Sequence, residues 1–285
     1  MTETQTMTSE TIEKLPRWVQ HSIQYILERK NIDCGYNFCQ GVSSGAQDTY
    51  YALAIFDLLG LEAPDKKATV KWLQRFRAEN IFSYYYVARG LVIGGGKVCP
   101  SLVSRVLDLK RPSGGFGETD VGVEALSEFE TAYMATEILR GISVDNDPNP
   151  TIQWLLKHLN PDGGFGVNGN SNLISTFHAA ASLRNLGYSV EKLEETIQYA
   201  RRCEKEHGGF TAVPEVSLPF IEDIYSGICV FDMTNQTSRY PEATRDLVLT
   251  LQNNNGGFRR SVELGLSTFE DTYIAMKILR YLKYL

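Results

Sequence analysis

Four copies of one phrase divide the last two thirds of this 285-residue chain: Gly114-Gly115-Phe116, Gly163-Gly164-Phe165, Gly208-Gly209-Phe210 and Gly256-Gly257-Phe258. Successive phenylalanines lie 49, 45 and 48 residues apart. A repeat of that length is one supersecondary unit. It is too small to bury its own apolar face, so several copies must stack into a shared core. Paired glycines admit backbone angles closed to other residues, which marks each phrase as a turn between elements.

Around the phrases the apolar pattern is helical. Ahead of Gly163, TIQWLLKHLN sets Ile152, Leu155, Leu156 and Leu159 on one stripe, and Pro161-Asp162 ends it. Behind it, LISTFHAAASLRNLG forms a second helix with Gly187 as its stop. The second helices align with one another. Thr49 is followed by Ala52, Phe56 and Leu59, Thr176 by Ala179, Leu183 and Leu186, and Thr272 by Ala275, Leu279 and Leu282. Offsets of 3, 7 and 10 share one helix face, and the small residue at the first offset lets a neighbouring helix approach closely.

Degenerate pairs fill the N-terminal third. A helix over residues 12–31 precedes GYNFCQG and the helix AQDTYYALAIFDLLG; KKATVKWLQRFR pairs with NIFSYYYVARGLVIGG; SLVSRVLDLK precedes Gly114. Six pairs share 285 residues at about 48 each, the observed repeat. The expected fold is all-α: an (α/α)6 toroid of six helix pairs in two concentric rings, one domain over residues 11–285 behind a disordered tail, residues 1–10. The alternative is an open solenoid. That architecture calls for polar capping repeats, and the last helix, DTYIAMKILRYLKYL, is not polar.

Composition narrows the function. The net charge is −6, and the chain lacks the basic footprint that nucleic-acid binding needs. No apolar run reaches transmembrane length. The opening MTETQTMTSE has neither the basic nor the apolar region of a secretory signal. The five cysteines, an odd and scattered set, fit reduced thiols and a cytoplasmic location.

The repeats NPDGGFGVNGNSNLISTFHAAASLRNLG and LQNNNGGFRRSVELGLSTFEDTYIAMKIL, with Gln252 spaced before Gly256 and Phe258, resemble the α/α-toroid superfamily. Its members are protein prenyltransferase β subunits and squalene or class II terpene cyclases. The resemblance implies an isoprenoid-handling enzyme and leaves three readings open. The first is acid-initiated cyclisation of a polyprenyl chain. The second is a prenyltransferase β-like protein acting with a helical α-type partner. The third is a non-catalytic module that binds an apolar ligand or a protein. A single toroid also lacks the second helical domain that closes a class II cyclase site, which implies a partner or a homodimer.

Carried over residue by residue, the motifs depart from both families. The prenyltransferase zinc site has Asp-x-Cys-Tyr in one repeat and His in the last. Glu222, Ile224 and Tyr225 stand at the first three places here and Asp271 at the fourth, so zinc is not expected, since its chemistry there needs a thiolate. The cyclase motif Asp-x-Asp-Asp-Thr corresponds to Thr268-Phe269-Glu270-Asp271-Thr272, with a partial copy at Ala46-Gln47-Asp48-Thr49. By this resemblance Glu270 is the candidate proton donor, with Asp271 and Asp48 as supporting carboxylates. Apolar burial and a neighbouring carboxylate would both hold such an acid protonated.

A structural reading competes at each position. Asp48, Thr131, Ser175, Asp223 and Asp271 are all helix N-cap types at equivalent places. Ser127 with Glu130, and Ser267 with Glu270, have the spacing of capping boxes. Tyr50, Tyr133, His178, Tyr225 and Tyr273 are the candidate substrate-binding residues, because aromatic walls suit a polyprenyl chain and stabilise carbocations. Their alternative is packing between two layers of helices, with His178 a satisfied core group. Cys203 and His207 make half a zinc site. No metal site is assigned. A diphosphate substrate would bring Mg²⁺ with it, which prefers oxygen ligands.

Overall fold

The computed structural model describes residues 7–117, 128–142, 146–263 and 265–285. Thirteen α-helices occur among them: α1 Ser9–Glu13, α2 Arg17–Leu27, α3 Ala46–Leu58, α4 Lys66–Arg75, α5 Ile81–Ile93, α6 Pro100–Asp108, α7 Glu128–Leu139, α8 Asn149–Lys157, α9 Leu173–Asn185, α10 Glu194–Cys203, α11 Ile221–Met233, α12 Pro241–Thr250 and α13 Phe269–Tyr281. From α2 onward they form six consecutive pairs, as the repeat count requires. The chain divides into two compact units, residues 1–98 with 247–285, and residues 99–246. In the first, α3 packs against α4, α5 and α13; in the second, α9 packs against α7, α8, α10 and α11.

Burial separates the two helices of each pair. First helices bury a stripe, such as Leu102, Val103 and Val106 on α6. Second helices are buried nearly all round: α3 and α9 each bury nine of their 13 residues. A helix apolar on every face has partners on every face, so the second helices carry the core of each unit.

The glycine phrase docks one repeat onto the next. Its first glycine is left-handed in all four copies, with φ of +99, +85, +100 and +90° at Gly114, Gly163, Gly208 and Gly256. A Cβ there would overlap the carbonyl of Pro150, Glu195, Ala243 or His21 respectively. Each of these belongs to the first helix of another pair. Gly256 is decisive, because the last repeat rests on α2, the first helix of the first pair. Two more bonds join these ends: Ser22 Oγ donates to Gly256 O at 2.8 Å, and Gln252 Nε2 donates to Trp18 O at 2.7 Å. Within this unit the terminal repeats pair with each other, which an open solenoid would not do.

The phrase is also tied to its own second helix. The backbone N–H of Phe165 donates to Thr176 Oγ1, that of Phe258 to Thr272 Oγ1 and that of Tyr36 to Thr49 Oγ1, each at 3.0 Å. The aligned threonines therefore anchor the buried aromatic. An Asn and a Ser stitch the turn above them: Asn160 Nδ2 donates to Ser171 Oγ at 2.8 Å and Ser171 Oγ to Asp162 at 2.7 Å, and the same geometry recurs at Asn31, Ser44 and Asp33.

Several local expectations change. The helix expected over residues 12–31 breaks at Pro16, which has no N–H to continue a helix and stands just before α2. The tail does not reach residue 10, since Thr8 caps a helix starting at Ser9; residues 1–6 lie outside the described residues. Asp48, Ser175, Asp223 and Asp271 are not N-caps but sit at the third helical position, behind Gly45, Asn172, Phe220 and Thr268. The side chains of Asn172 and Thr268 accept from the N–H of Ser175 and Asp271. Asp223 alone caps, accepting from the N–H of Phe220 at 3.4 Å. The Ser267–Glu270 box does not form, because Ser267 belongs to the turn network with Asn253 and Asn255. Ser127 of the other box lies outside the described residues. Gly187 does end α9, in the left-handed region with its N–H on Arg184 O.

Gly163 and Gly169 separate backbone strain from repeat docking. Both are left-handed, but nothing lies within 4 Å of a Cβ at Gly169. Gly169→Ala is expected to cost the left-handed penalty alone, about 1–2 kcal/mol. Gly163→Ala should cost a further ~1–3 kcal/mol, because it also forces two helices apart. Urea unfolding of both variants checks this; equal losses would remove the docking role.

Candidate active site

The second helices come into register on the buried residues Ala46, Ile81, Phe129, Leu173, Ile221 and Phe269. One residue on, the column reads Gln47, Phe82, Glu130, Ile174, Glu222 and Glu270; the next reads Asp48, Ser83, Thr131, Ser175, Asp223 and Asp271. Four residues on, every helix carries an aromatic: Tyr50, Tyr85, Tyr133, Phe177, Tyr225 and Tyr273. Polar groups thus gather at the helix starts and rings collect about one turn further along.

In the first unit, α3, α5 and α13 bring these columns together. Tyr50 lies 4.8 Å from Tyr51, 6.0 Å from Tyr85, 5.7 Å from Tyr86 and 6.3 Å from Tyr273, centroid to centroid. The Tyr50 hydroxyl is hydrogen-bonded with Tyr85, Arg89 and Tyr273. Above the rings, Glu270 joins α13 to α3. Tyr51 Oη donates to its Oε1 and Gln47 Nε2 to its Oε2, each at 2.8 Å. Burial, with the Glu270 charge second, holds the Tyr51 hydroxyl well above the usual range for tyrosine.

Asp48 is half-buried beside this pair. Burial is the main cause that pushes its carboxyl up to about 6; the Phe38 N–H opposes the shift and the Glu270 charge adds to it. Asp271 joins the same group, since both Asp48 and Asp271 act on the buried Tyr25 hydroxyl, whose rise is mostly due to burial. Asp48 and Glu270 therefore influence each other, and Asp271 acts on the same Tyr25 hydroxyl as Asp48. Gln47 and Arg89 are partners that sequence reasoning missed. A cation two turns into the otherwise apolar α5 was the available signal for Arg89.

In the second unit the substrate-binding candidates form a nest of four rings. His178 stacks on Tyr133 at 5.2 Å and 15°, Phe177 lies 5.4 Å from Tyr133, and Tyr225 meets Phe177 edge-on at 5.6 Å. His178 is not the satisfied core group of the structural reading. Its Nδ1 is shielded from solvent and has no hydrogen-bond partner. Burial lowers its pKa to about 3, so the ring is neutral at ordinary pH.

At the positions matching a prenyltransferase zinc site, Ile224 is fully buried and has no donor atom, so it cannot supply the thiolate of a zinc–thiolate centre. Among the described residues no three His, Cys, Asp or Glu side chains converge as ligands. Cys203, at the half-site with His207, is a buried thiol pushed up to about 12, mainly by burial. His207 Nε2 instead lies 3.1 Å from Ser217 O. All five cysteines lie outside any disulfide, and no described helix is long and apolar enough to cross a membrane.

The prenyltransferase α/α-toroid domain model matches residues 2–83, 98–171 and 131–283. The chain belongs to that family, and its fold is the all-α toroid of six helix pairs. The farnesyltransferase β subunit of Schizosaccharomyces pombe is 29% identical over 150 residues, which cover 48% of this chain and 38% of that protein. Among solved structures, protein geranylgeranyltransferase-I of Candida albicans, complexed with GGPP, is similar at a TM-score of 0.67 and 18% identity, over 97% of this chain and 92% of that one. The type II terpene cyclase MstE from Scytonema is similar at 0.62 and 11%, over 97% and 100%. At these identities the two structures bear on the fold alone.

The raised Asp48 carboxyl makes stability pH-dependent. Its folded pKa of about 6 lies above the ordinary 3.8, so the folded state holds a proton that the unfolded state gives up. The stability is fully present below about 4 and is lost as pH rises through about 6. Asp48→Asn should remove that loss. Relative to wild type, its urea midpoint should rise between pH 4 and 7 and level off above; parallel profiles would show an unshifted Asp48.

Proposed function

We propose that this chain is an isoprenoid-handling enzyme that starts cyclisation of a polyprenyl substrate by protonating an alkene. The observation that carries this reading is the carboxylate group above the tyrosine cluster of α3, α5 and α13. Glu270 accepts from a donor on each oxygen, so both oxygens are already engaged. Asp48, raised to about 6, is the better proton holder. The role of proton donor accordingly passes from Glu270, the residue implied by the motif comparison, to Asp48.

In the step itself the Asp48 O–H breaks, its proton forms a C–H bond with one alkene carbon, and the other carbon becomes cationic. Asp48 is left as carboxylate. Glu270 offsets the positive charge, and the faces of Tyr50, Tyr51 and Tyr273 stabilise it as the chain folds. The cyclised cation loses a proton to water, and water returns one to Asp48, which closes the balance. Asp271 supports the charge. A diphosphate on the substrate would be accompanied by Mg²⁺, since bare phosphate beside these carboxylates is repelled.

Farnesyl diphosphate, geranylgeranyl diphosphate and squalene, each incubated with the purified protein and extracted for gas chromatography, test the reading. Cyclised product is expected, with a rate that rises as pH falls through about 6. Asp48→Asn should lower it by roughly 100-fold or more, the usual weight of a positioned acid. Absence of cyclised product, or full activity in Asp48→Asn, sinks the proposal. A second reading rests on the match to the farnesyltransferase β subunit: a transferase-like subunit with a helical α-type partner. Stoichiometric zinc in the purified protein, or prenyl transfer to a peptide on adding a farnesyltransferase α subunit, would favour it.

A further inference from the structure

The helix α4 differs in charge from a chain whose net charge is −6. Residues 66–78 hold Lys66, Lys67, Lys71, Arg75 and Arg77 and no acid. Thr69 and Leu73 are the buried residues of α4. Lys67, Lys71 and Arg75, spaced i, i+4 and i+8, are exposed as one stripe. Nearby acids are engaged elsewhere. Asp65 pairs with Lys30 and Glu79 with Arg77. Asp33 accepts from Gly35 N, Ser44 Oγ and Trp72 Nε1. Glu62 remains exposed ahead of the helix. Among the described residues, Lys66, Lys67, Lys71 and Arg75 make no ion pair.

The end of α5 adds to this face. Gly94 and Gly96 lie directly on Val70 of α4, which brings the exposed Lys97 to the edge of the stripe. Val92, just before this turn, is 54% exposed. Four to eight cations on an amphipathic helix are attracted to an anionic leaflet, each adding about fivefold to binding. Long lysine stems lie along apolar surface with their charges outward, and an exposed valine gains by entering the headgroup boundary.

We infer that the exposed face of α4, with the turn after α5, is a peripheral docking surface for an anionic lipid bilayer. The joining of cations to exposed apolar surface favours a bilayer over an acidic protein, which would call for charge alone. A polyprenyl substrate would be met at such a surface, but the docking stands whether or not the cyclisation reading does.

Co-sedimentation with vesicles of 70% phosphatidylcholine and 30% phosphatidylglycerol, against pure phosphatidylcholine, tests this without any enzyme assay. Binding is expected to the anionic vesicles only. It should weaken steeply between 0.1 and 1 M salt, as the screening length falls from about 10 to about 3 Å. The triple variant Lys67→Gln, Lys71→Gln, Arg75→Gln should lose on the order of 100-fold in partitioning. Lys157→Gln, Arg184→Gln, Lys192→Gln, which removes the same charge elsewhere, should keep its binding. Equal loss in both triples, binding that ignores lipid charge, or no binding to anionic vesicles overturns the inference. So does an α4 variant that loses only affinity for poly-glutamate, which would mark a protein-docking face.

Discussion

Everything in this fold leans on one close approach. The first glycine of each phrase turns left-handed and lies against a carbonyl at the start of another pair's first helix. No other residue type fits there, because a Cβ would occupy the carbonyl's place. The next residues then follow without freedom. The phenylalanine is driven into the core, and at Phe165 and Phe258 its N–H reaches the threonine of its own second helix. Repeat-to-repeat spacing is thus set by backbone contact rather than by side-chain packing, which tolerates far more variation.

That fixed spacing makes the second-helix columns chemically meaningful. Within each unit, residues at equal offsets on neighbouring second helices meet. Glu270 on α13 reaches Gln47 and Tyr51 on α3 for this reason. The aromatic column four residues on sets Tyr50 among Tyr85 and Tyr273 in one unit, and Phe177 between Tyr133 and Tyr225 in the other. Within each unit, polar groups near the helix starts and rings beneath them are consequences of register.

The helix pairs were legible in sequence because their signals are local: a glycine pair, a 3.6-residue apolar period and a stop glycine. What escaped depended on contacts between repeats. Asp48, Ser175 and Asp271 looked like caps because cap residues are the same short polar types, and only the turn's geometry shows that Asn172 and Thr268 take that role one turn edge earlier. The Ser267–Glu270 spacing was equally persuasive. Yet Ser267 commits its hydroxyl to the turn and Glu270 its carboxylate to α3, 219 residues away at Tyr51. No pattern confined to one repeat could have shown either.

The chemistries open to this family architecture make different demands on the cross-repeat geometry. A thiolate–zinc centre needs a soft donor, and Ile224 removes it at the one place where the register would supply it. Acid chemistry needs instead two carboxyl groups whose environments push them apart. Glu270 accepts a hydrogen bond on each oxygen, from Gln47 and Tyr51 of α3. Asp48, desolvated and near the Glu270 charge, is held protonated further up the pH scale. In that reading the two groups share the work: Asp48 gives the proton and Glu270 adds a second negative charge against the developing cation. Bringing them together across α3 and α13 is what the closing contact of Gly256 on α2 makes available, so the residue that joins the last repeat to the first also assembles the candidate acid pair.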